Sequence, residues 1–287
     1  MKIKSMKKYN LPSLSAINVE LTNRCNKKCW MCGRRKVERD WPELALNYGD
    51  MGFGLVKSIA EQLPTNIVVQ LHNNGEPLLY PRLAEAIELF DRQITSLDTN
   101  GKLLLEKADD LIGKLDTMAI SVFENDSEAD EQYEIIEEFI KIKGNRKPYT
   151  VLRLNGDVDF QRYEGFNLLL VRRVLHSPMG SFDYKKRNPT IPEIGICLDF
   201  LHHPAINREG KVSICVRFDP KRLGVIGDIT EQSLEEIWNS ERRLQWLEYH
   251  RRGQRGKVPL CSYCDFWGVP TGMKHLANGK KRACLQE

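Results

Sequence analysis

The chain has 287 residues, and its 43 lysines and arginines against 39 aspartates and glutamates give a formal net charge of +4. This balance is too small to indicate a protein that binds nucleic acid or a membrane surface. Hydrophobic residues make up 41% and charged residues 29% of the sequence, which is a globular composition and excludes disordered, collagen-like and coiled-coil classes.

The N-terminal segment does not resemble a signal peptide. Residues 1–15 contain lysines but no apolar run like that of a signal peptide, and no segment approaches the roughly 18 apolar residues of a membrane helix. We therefore expect a cytoplasmic protein. Because thiols stay reduced there, the eight cysteines are expected to be metal ligands or reactive thiols rather than disulfides.

Short apolar runs alternate with longer segments of helical spacing in the first part of the chain, which is typical of parallel strands joined by helices. The predicted strands are 17–21, 67–71, 94–97, 118–122, 150–154 and 166–171. The predicted helices are 55–62, 81–92, 103–115 and 127–143, the last with Ser127 as its N-cap. The sequence predicts an α/β fold, a partial (β/α) barrel of about six strands.

A change of composition divides the chain. We predict the barrel over residues 1–175, a proline-containing linker over 176–196 and a small C-terminal domain over 197–287. In the last region we predict a strand over 211–216 and a helix from 233 to about 250, with Trp238 and Trp246 in the core.

The cysteines form two groups separated by the barrel. Cys25, Cys29 and Cys32 follow the first predicted strand. Three thiolates can bind three irons of a [4Fe-4S] cluster and leave the fourth iron open for chemistry. A zinc ion is the alternative, although structural zinc needs four ligands and no His or Cys nearby in the sequence supplies the fourth.

The run CNKKCWMC resembles the C-x3-C-x2-C signature of the radical S-adenosylmethionine (SAM) enzymes, with Met31 where an aromatic residue is usual. Further segments fall where that family binds SAM, at the ends of the following strands. The resemblance implies SAM contacts from these residues: Met31, Asn74, Gly75, Glu76, Pro77, Asn100, Ser121, Arg153 and Asn155. Each segment also has a purely structural interpretation, such as a turn at Gly75 and at Asn100, or a surface ion pair for Arg153.

The second group of cysteines resembles the C-terminal SPASM and twitch domains of the same enzymes, as does the segment 224–238. Its members are Cys197, Cys215, Cys261 and Cys264. Four thiolates would close one auxiliary [4Fe-4S] cluster suited to electron transfer. Val269 and Pro270 stand where further ligands are expected in a full SPASM domain, so we expect one auxiliary cluster; a four-cysteine zinc site is the alternative. Spacing and length most resemble twitch-bearing members such as the aminocyclitol dehydrogenase of butirosin biosynthesis.

The resemblance implies that SAM is cleaved to a 5′-deoxyadenosyl radical, which takes a hydrogen atom from a substrate. The first hypothesis is oxidation of a sugar, aminosugar or cyclitol, with the auxiliary cluster as electron acceptor, Arg153 and Arg172 on the hydroxyl groups, and a flavodoxin- or ferredoxin-type electron donor.

Three alternatives remain open at this point. The first is modification of a peptide, by epimerisation or thioether formation, with Cys284 as a hydrogen donor. The second is modification of RNA, prompted by basic clusters such as 34–36, although such clusters are usually solvated surfaces. The third is an iron–sulfur or zinc binding module without catalytic activity.

Overall fold

The computed structural model describes residues 9–173 and 196–264. These residues contain nine strands: β1 Ala16–Val19, β2 Val68–Gln70, β3 Ile94–Thr99, β4 Thr117–Phe123, β5 Tyr149–Asn155, β6 Leu169–Arg173, β7 Ala205–Ile206, β8 Lys211–Ser213 and β9 Val225–Asp228. The strands form one sheet in the order β6-β5-β4-β3-β2-β1-β7-β8-β9.

Strands β1 to β6 are parallel to their neighbours, which confirms the predicted α/β fold and its six barrel strands. Each predicted strand overlaps the observed one. The apolar signal comes from the buried residues, which alternate with less buried ones along most of β2, β3 and β5. Ile17, Val69, Leu97, Ile120 and Leu152 are fully buried.

Ten α-helices accompany the described strands: α1 Gly33–Asp40, α2 Phe53–Gln62, α3 Leu83–Leu89, α4 Ala108–Leu111, α5 Ala129–Lys143, α6 Gln161–Glu164, α7 Leu198–His202, α8 Leu234–Trp238, α9 Glu241–Arg251 and α10 Pro259–Ser262. Short 3-10 turns span Pro42–Leu44, Pro77–Leu79 and Arg255–Lys257. Helix α6 occupies the short link between β5 and β6.

Several helix limits differ from the prediction. Helix α5 begins after Glu128, which makes no side-chain cap, so the assignment of Ser127 as N-cap was wrong. Of the helix predicted over 103–115, only α4 forms. The long C-terminal helix is split, because Ser240 caps a new helix by accepting a hydrogen bond from the backbone N–H of Arg243 at 3.4 Å.

The C-terminal region continues the barrel sheet. Strand β7 pairs parallel with β1, with Asn18 opposite Ala205, while β7, β8 and β9 are antiparallel to one another. The predicted domain limits remain a prediction, and nearly all of the predicted linker lies outside the described residues.

The core runs through both parts of the sheet. Trp238 and Trp246 are buried, as predicted, and the indole N–H of Trp238 donates to the carbonyl of Pro12 at 2.9 Å. Among the described residues, no helix is long and apolar enough to cross a bilayer.

Candidate active site

A cavity of about 560 Å³ lies at the carboxyl ends of the parallel strands. Loops that follow parallel strands meet at this edge of a sheet, which is where α/β folds place ligands. The cavity brings together predicted residues from separate segments: Cys25, Cys29, Cys32, Asn74, Gly75, Glu76, Asn100, Ser121 and Arg153.

The loop after β1 supplies the three thiols, each partly buried. Burial, together with the neighbouring charges of Cys32 and Cys25, raises the pKa of Cys29 to about 12. A thiol in this position becomes a thiolate only when a cation binds it. The three thiols therefore fit a group that brings its own positive charge.

The donor set also bears on which metal fits. In the described part of the chain, no three His, Cys, Asp or Glu side chains are arranged to hold a single metal ion. A [4Fe-4S] cluster does not require such convergence, because each thiolate binds a different iron. The thiols near β1 fit three corners of a cluster better than they fit one zinc ion.

Lys27 lies between the first two cysteines and fixes the loop from within. Its ammonium group contacts the Asp126 carboxylate, and both side chains are less than a tenth exposed. Glu128 lies 3.6 Å from the same ammonium and also contacts Lys102 at 2.5 Å. This network ties the cysteine loop to the segment between β4 and α5.

The segment after β2 packs directly against the cysteine loop. A Cβ atom on Gly75 would lie 2.3 Å from the carbonyl oxygen of Thr22 and 2.8 Å from that of Arg24, so only glycine allows this approach. Arg34, in α1, is 4% exposed and donates to the carbonyls of Asn23 and Asn74, the latter at 2.6 Å. The charge of Arg34 is therefore internal and does not belong to a basic surface.

Glu76 is a buried carboxylate held by three donors. It accepts hydrogen bonds from the hydroxyl of Thr99 at 2.7 Å, the backbone N–H of Asn100 at 2.7 Å and the backbone N–H of Leu78 at 3.1 Å. Burial nevertheless raises its pKa to about 7. An ammonium group bound at this carboxylate would favour its ionised form.

Asn100 joins the other motifs. Its side-chain amide donates to Asn26 at 2.8 Å and lies 3.9 Å from the Sγ atom of Cys25. Its carbonyl accepts from the buried amide of Gln132 at 2.6 Å, and the same amide group also donates to the carbonyl of Ser121 at 3.0 Å. The ends of β3 and β4 are thereby fixed relative to the cysteine loop.

On the other side of the cavity, Arg153 contacts the carboxylate of Asp98. Although burial opposes it, the positive surroundings of Asp98 hold the pKa of this carboxyl below its usual range. His72 accepts a hydrogen bond from the backbone N–H of Asp98 at its Nδ1 atom, 3.1 Å away, and burial lowers its pKa. This wall therefore presents a carboxylate between a guanidinium and an imidazole.

Some predicted site residues lie away from the cavity lining. Pro77 starts a 3-10 turn, and the Asn155 amide donates to the carbonyls of Val122 and Arg153. Met31 is partly buried beside the cysteines. Arg172 is exposed and its guanidinium lies 5.0 Å from the ring centre of Phe160.

Arg172 was predicted to face the substrate, but its neighbour Arg173 lines the cavity instead. Arg173 pairs with Asn155, two residues beyond Arg153. Because alternate residues of a strand face the same side, Arg173 and not Arg172 shares the side of Arg153. Cys284, Val269 and Pro270 lie outside the described residues.

The other four cysteines line a second, much smaller cavity of about 20 Å³. Cys197 precedes α7, Cys215 follows β8, and Cys261 and Cys264 lie in and after α10. Burial raises the pKa values of Cys215 and Cys261, and no disulfide joins any cysteine in the described ranges. Four partly buried thiols that line a common space fit a fully ligated cluster.

Comparisons with known proteins bear on both cavities. Residues 197–265 match the SPASM family of iron-sulfur cluster-binding domains. We call residues 197–264 the SPASM region. The S-adenosyl-L-methionine-dependent 2-deoxy-scyllo-inosamine dehydrogenase of Niallia circulans is 25% identical over 264 residues, which cover 90% of this chain and 95% of that enzyme.

Two crystal structures of BtrN have a similar fold. The complex of BtrN with AdoMet and 2-DOIA is 19% identical, covers 88% of this chain and 98% of BtrN, and gives a TM-score of 0.55. An open conformation of BtrN is 20% identical, covers 88% and 92% of the two chains, and gives 0.51. Together these similarities confirm the predicted resemblance to radical SAM enzymes with a C-terminal iron–sulfur domain.

The SPASM region also contributes residues to the first cavity that the sequence did not reveal: Asp199, His203, Val216, Arg217 and Phe218. The Nε2 atom of His203 lies 2.7 Å from the Oδ1 atom of Asn18 in β1. The pairing of β7 with β1 brings these residues to the barrel. No motif in the sequence predicts that pairing.

Proposed function

We propose that this protein is a radical SAM oxidoreductase that converts a secondary alcohol of a sugar, aminosugar or cyclitol to a ketone. The observation that carries the proposal is one cavity that joins the three-cysteine loop, the SAM-binding motifs and the wall of the four-cysteine site. The similarity to a SAM-dependent dehydrogenase supports oxidation over the peptide-modification alternative.

The residues assign two cofactor sites. Cys25, Cys29 and Cys32 would hold a [4Fe-4S] cluster with an open iron for SAM, and Cys197, Cys215, Cys261 and Cys264 would hold an auxiliary [4Fe-4S] cluster. When bound, the first cluster and SAM supply a 5′-deoxyadenosyl radical that removes a hydrogen atom from the substrate.

The chain's own residues orient SAM. The buried carboxylate of Glu76 is placed to receive the amino group of SAM, next to the backbone of Asn74 and Gly75. Asn100 links that carboxylate to the cysteine loop. Holding the cofactor and the substrate in one enclosed space limits the reactive radical to one C–H bond.

Oxidation of the alcohol removes two hydrogens and two electrons in total. The hydrogen on carbon leaves with one electron as an atom. The hydroxyl proton then leaves for the carboxylate of Asp98, while Arg153 binds the oxygen on which negative charge develops; the two side chains are in contact. An auxiliary cluster held by Cys197, Cys215, Cys261 and Cys264 would accept the remaining electron as the ketone forms.

We further propose that the electron for SAM cleavage comes from a flavodoxin- or ferredoxin-type protein in the cytoplasm. The barrel over 1–175, the linker over 176–196 and the C-terminal domain over 197–287 belong to the same proposal. The electron donor follows from the predicted resemblance, and the domain limits follow from the change of composition along the chain.

The test is anaerobic incubation of iron-loaded protein with SAM and dithionite, followed by quantification of 5′-deoxyadenosine. Wild-type protein is expected to form it, and the variant with Cys25, Cys29 and Cys32 all replaced by Ala is expected to form none. The same variant should retain about half the iron, because one of two four-iron clusters remains. Unchanged iron, or zinc in place of iron, would refute the proposal.

A further inference from the structure

Four consecutive residues form the wall between the two cavities. Cys215 faces the small cavity of the SPASM region, while Val216, Arg217 and Phe218 line the large one. Arg217 and Asp199 line both cavities. An electron that leaves a substrate in the large cavity for the four cysteines therefore crosses this wall.

Arg217 contacts two segments that carry candidate cluster ligands. Its backbone N–H donates to the Sγ atom of Cys215 at 3.5 Å. Its Nη2 atom lies 3.4 Å from the Oδ2 atom of Asp199, with about a quarter of each side chain exposed. Because Asp199 follows Cys197 by two residues, the ion pair joins the segments of two candidate ligands.

Other groups near the four cysteines differ in charge and position. Arg255 donates to the carbonyl of Cys264 at 3.2 Å and lines only the small cavity. His250 accepts from the backbone N–H of Cys197 at 3.3 Å, and burial lowers its pKa to about 4, so its ring is neutral. Arg217 is therefore the cation that this wall presents to both cavities within the described residues.

We propose that Arg217 is a positioning residue for electron transfer, which rests on the proposed role of the auxiliary cluster as acceptor. A fixed guanidinium beside the cluster stabilises the extra negative charge of its reduced form, and the partly buried site limits screening by solvent. This stabilisation of the reduced cluster favours transfer of the electron from the substrate side of the wall. Asp199 holds the guanidinium in place and offsets part of its charge.

The measurement is the midpoint potential of the auxiliary cluster, followed by electron paramagnetic resonance in a redox titration. The Cys25, Cys29 and Cys32 triple alanine variant of the full chain isolates this cluster. Arg217→Gln is expected to shift the potential negative by about 59 mV, a tenfold change in the one-electron equilibrium, whereas Arg217→Lys should stay near wild type because it keeps the charge.

Arg222→Gln is the matched control. Arg222 pairs with Glu209 at 2.8 Å, is about half exposed and does not line the small cavity, so its removal should leave the potential unchanged. If Arg217→Gln destabilises the protein, Asp199→Asn provides the second readout, with a positive shift expected from the loss of a carboxylate.

The outcomes separate the two proposals. A triple variant without iron would refute the auxiliary cluster itself, and with it the role of Arg217. An iron-loaded triple variant whose potential does not respond to Arg217→Gln, or which moves negative in Asp199→Asn, would overturn only the role of Arg217.

Discussion

The side-chain amide of Asn100 lies 3.9 Å from the Sγ atom of Cys25. Asn100 follows β3 and Cys25 follows β1, so the contact joins two segments that are 75 residues apart in the sequence. The backbone N–H of Asn100 also donates to Glu76. One residue thus connects the cluster loop with the carboxylate proposed to bind SAM.

Substituting Asn100 should separate its two contacts. Asn100→Ala removes the amide but keeps the backbone hydrogen bond, and loss of one hydrogen bond should weaken SAM binding about fivefold, or about 1 kcal/mol. Asn100→Asp should weaken it further, because it places a carboxylate beside a thiolate. Equilibrium binding of SAM to the iron-loaded protein measures both. Equal affinities for the two variants would contradict the proposed contact.

Much of this arrangement is predictable from the sequence, because the strands are apolar and the motifs follow them directly. The position of Arg173 in the cavity is not predictable from the sequence. It depends on the register between β5 and β6, and the link before β6 is irregular. The two-residue strand Ala205–Ile206 is too short to show a period, so the contribution of His203 and Arg217 was also hidden.

Gly75→Ala should destabilise the protein, because the new Cβ atom would overlap the backbone carbonyls of Thr22 and Arg24. Overpacking of this kind costs about 1–3 kcal/mol. The free energy of unfolding, from urea titration of the iron-free protein, measures the loss. Gly54→Ala is the control, since a Cβ atom there meets nothing within 4 Å and lies in α2. A loss as large in the control as at Gly75 would show that the close approach is unimportant.

Lys27→Met should be strongly destabilising, because it leaves the Asp126 carboxylate buried without its cation. Breaking a buried ion pair from one side costs about 3–5 kcal/mol. The double variant Lys27→Met with Asp126→Leu should lose less than the two single variants added together. Urea titrations of all four proteins measure the coupling.

The exposed ion pair of Lys141 and Glu137, at 2.9 Å, is the control for the buried pair of Lys27 and Asp126. Its removal should cause no measurable change, because solvent screens an ion pair on an exposed helix surface. Additive losses at Lys27 and Asp126 would mean that the two charges do not stabilise each other.

The pH dependence of stability should report the ionisation of Glu76. Its pKa rises from 4.5 in the unfolded chain to about 7 in the folded protein because of burial. The folded state therefore holds a proton that the unfolded state releases, and this contribution is present below pH 4.5 and lost as the pH rises through 7. The lost stability is about 3 kcal/mol.

Glu76→Gln tests this sign in the iron-free protein between pH 5 and pH 8. The variant should be less stable throughout, because the amide cannot accept all three hydrogen bonds. Its stability should nevertheless fall less with rising pH than that of the wild type. Parallel pH profiles for the two proteins would show that Glu76 does not titrate in this range.

Arg173 and Arg172 form a natural pair for testing the active-site assignment, since they are neighbours with opposite orientations on β6. Arg173 lines the cavity with Arg153, whereas Arg172 is exposed over Phe160.

Arg153→Gln and Arg173→Gln should lower ketone formation at least tenfold, because a guanidinium that stabilises developing oxyanion charge contributes about 2.7–4 kcal/mol in well-ordered sites. Formation of 5′-deoxyadenosine without substrate should persist in Arg173→Gln, since Arg173 is not among the residues predicted to contact SAM. Arg172→Gln should leave both products at wild-type levels, and a loss of ketone in this variant equal to that in Arg173→Gln would place the substrate on the other side of β6.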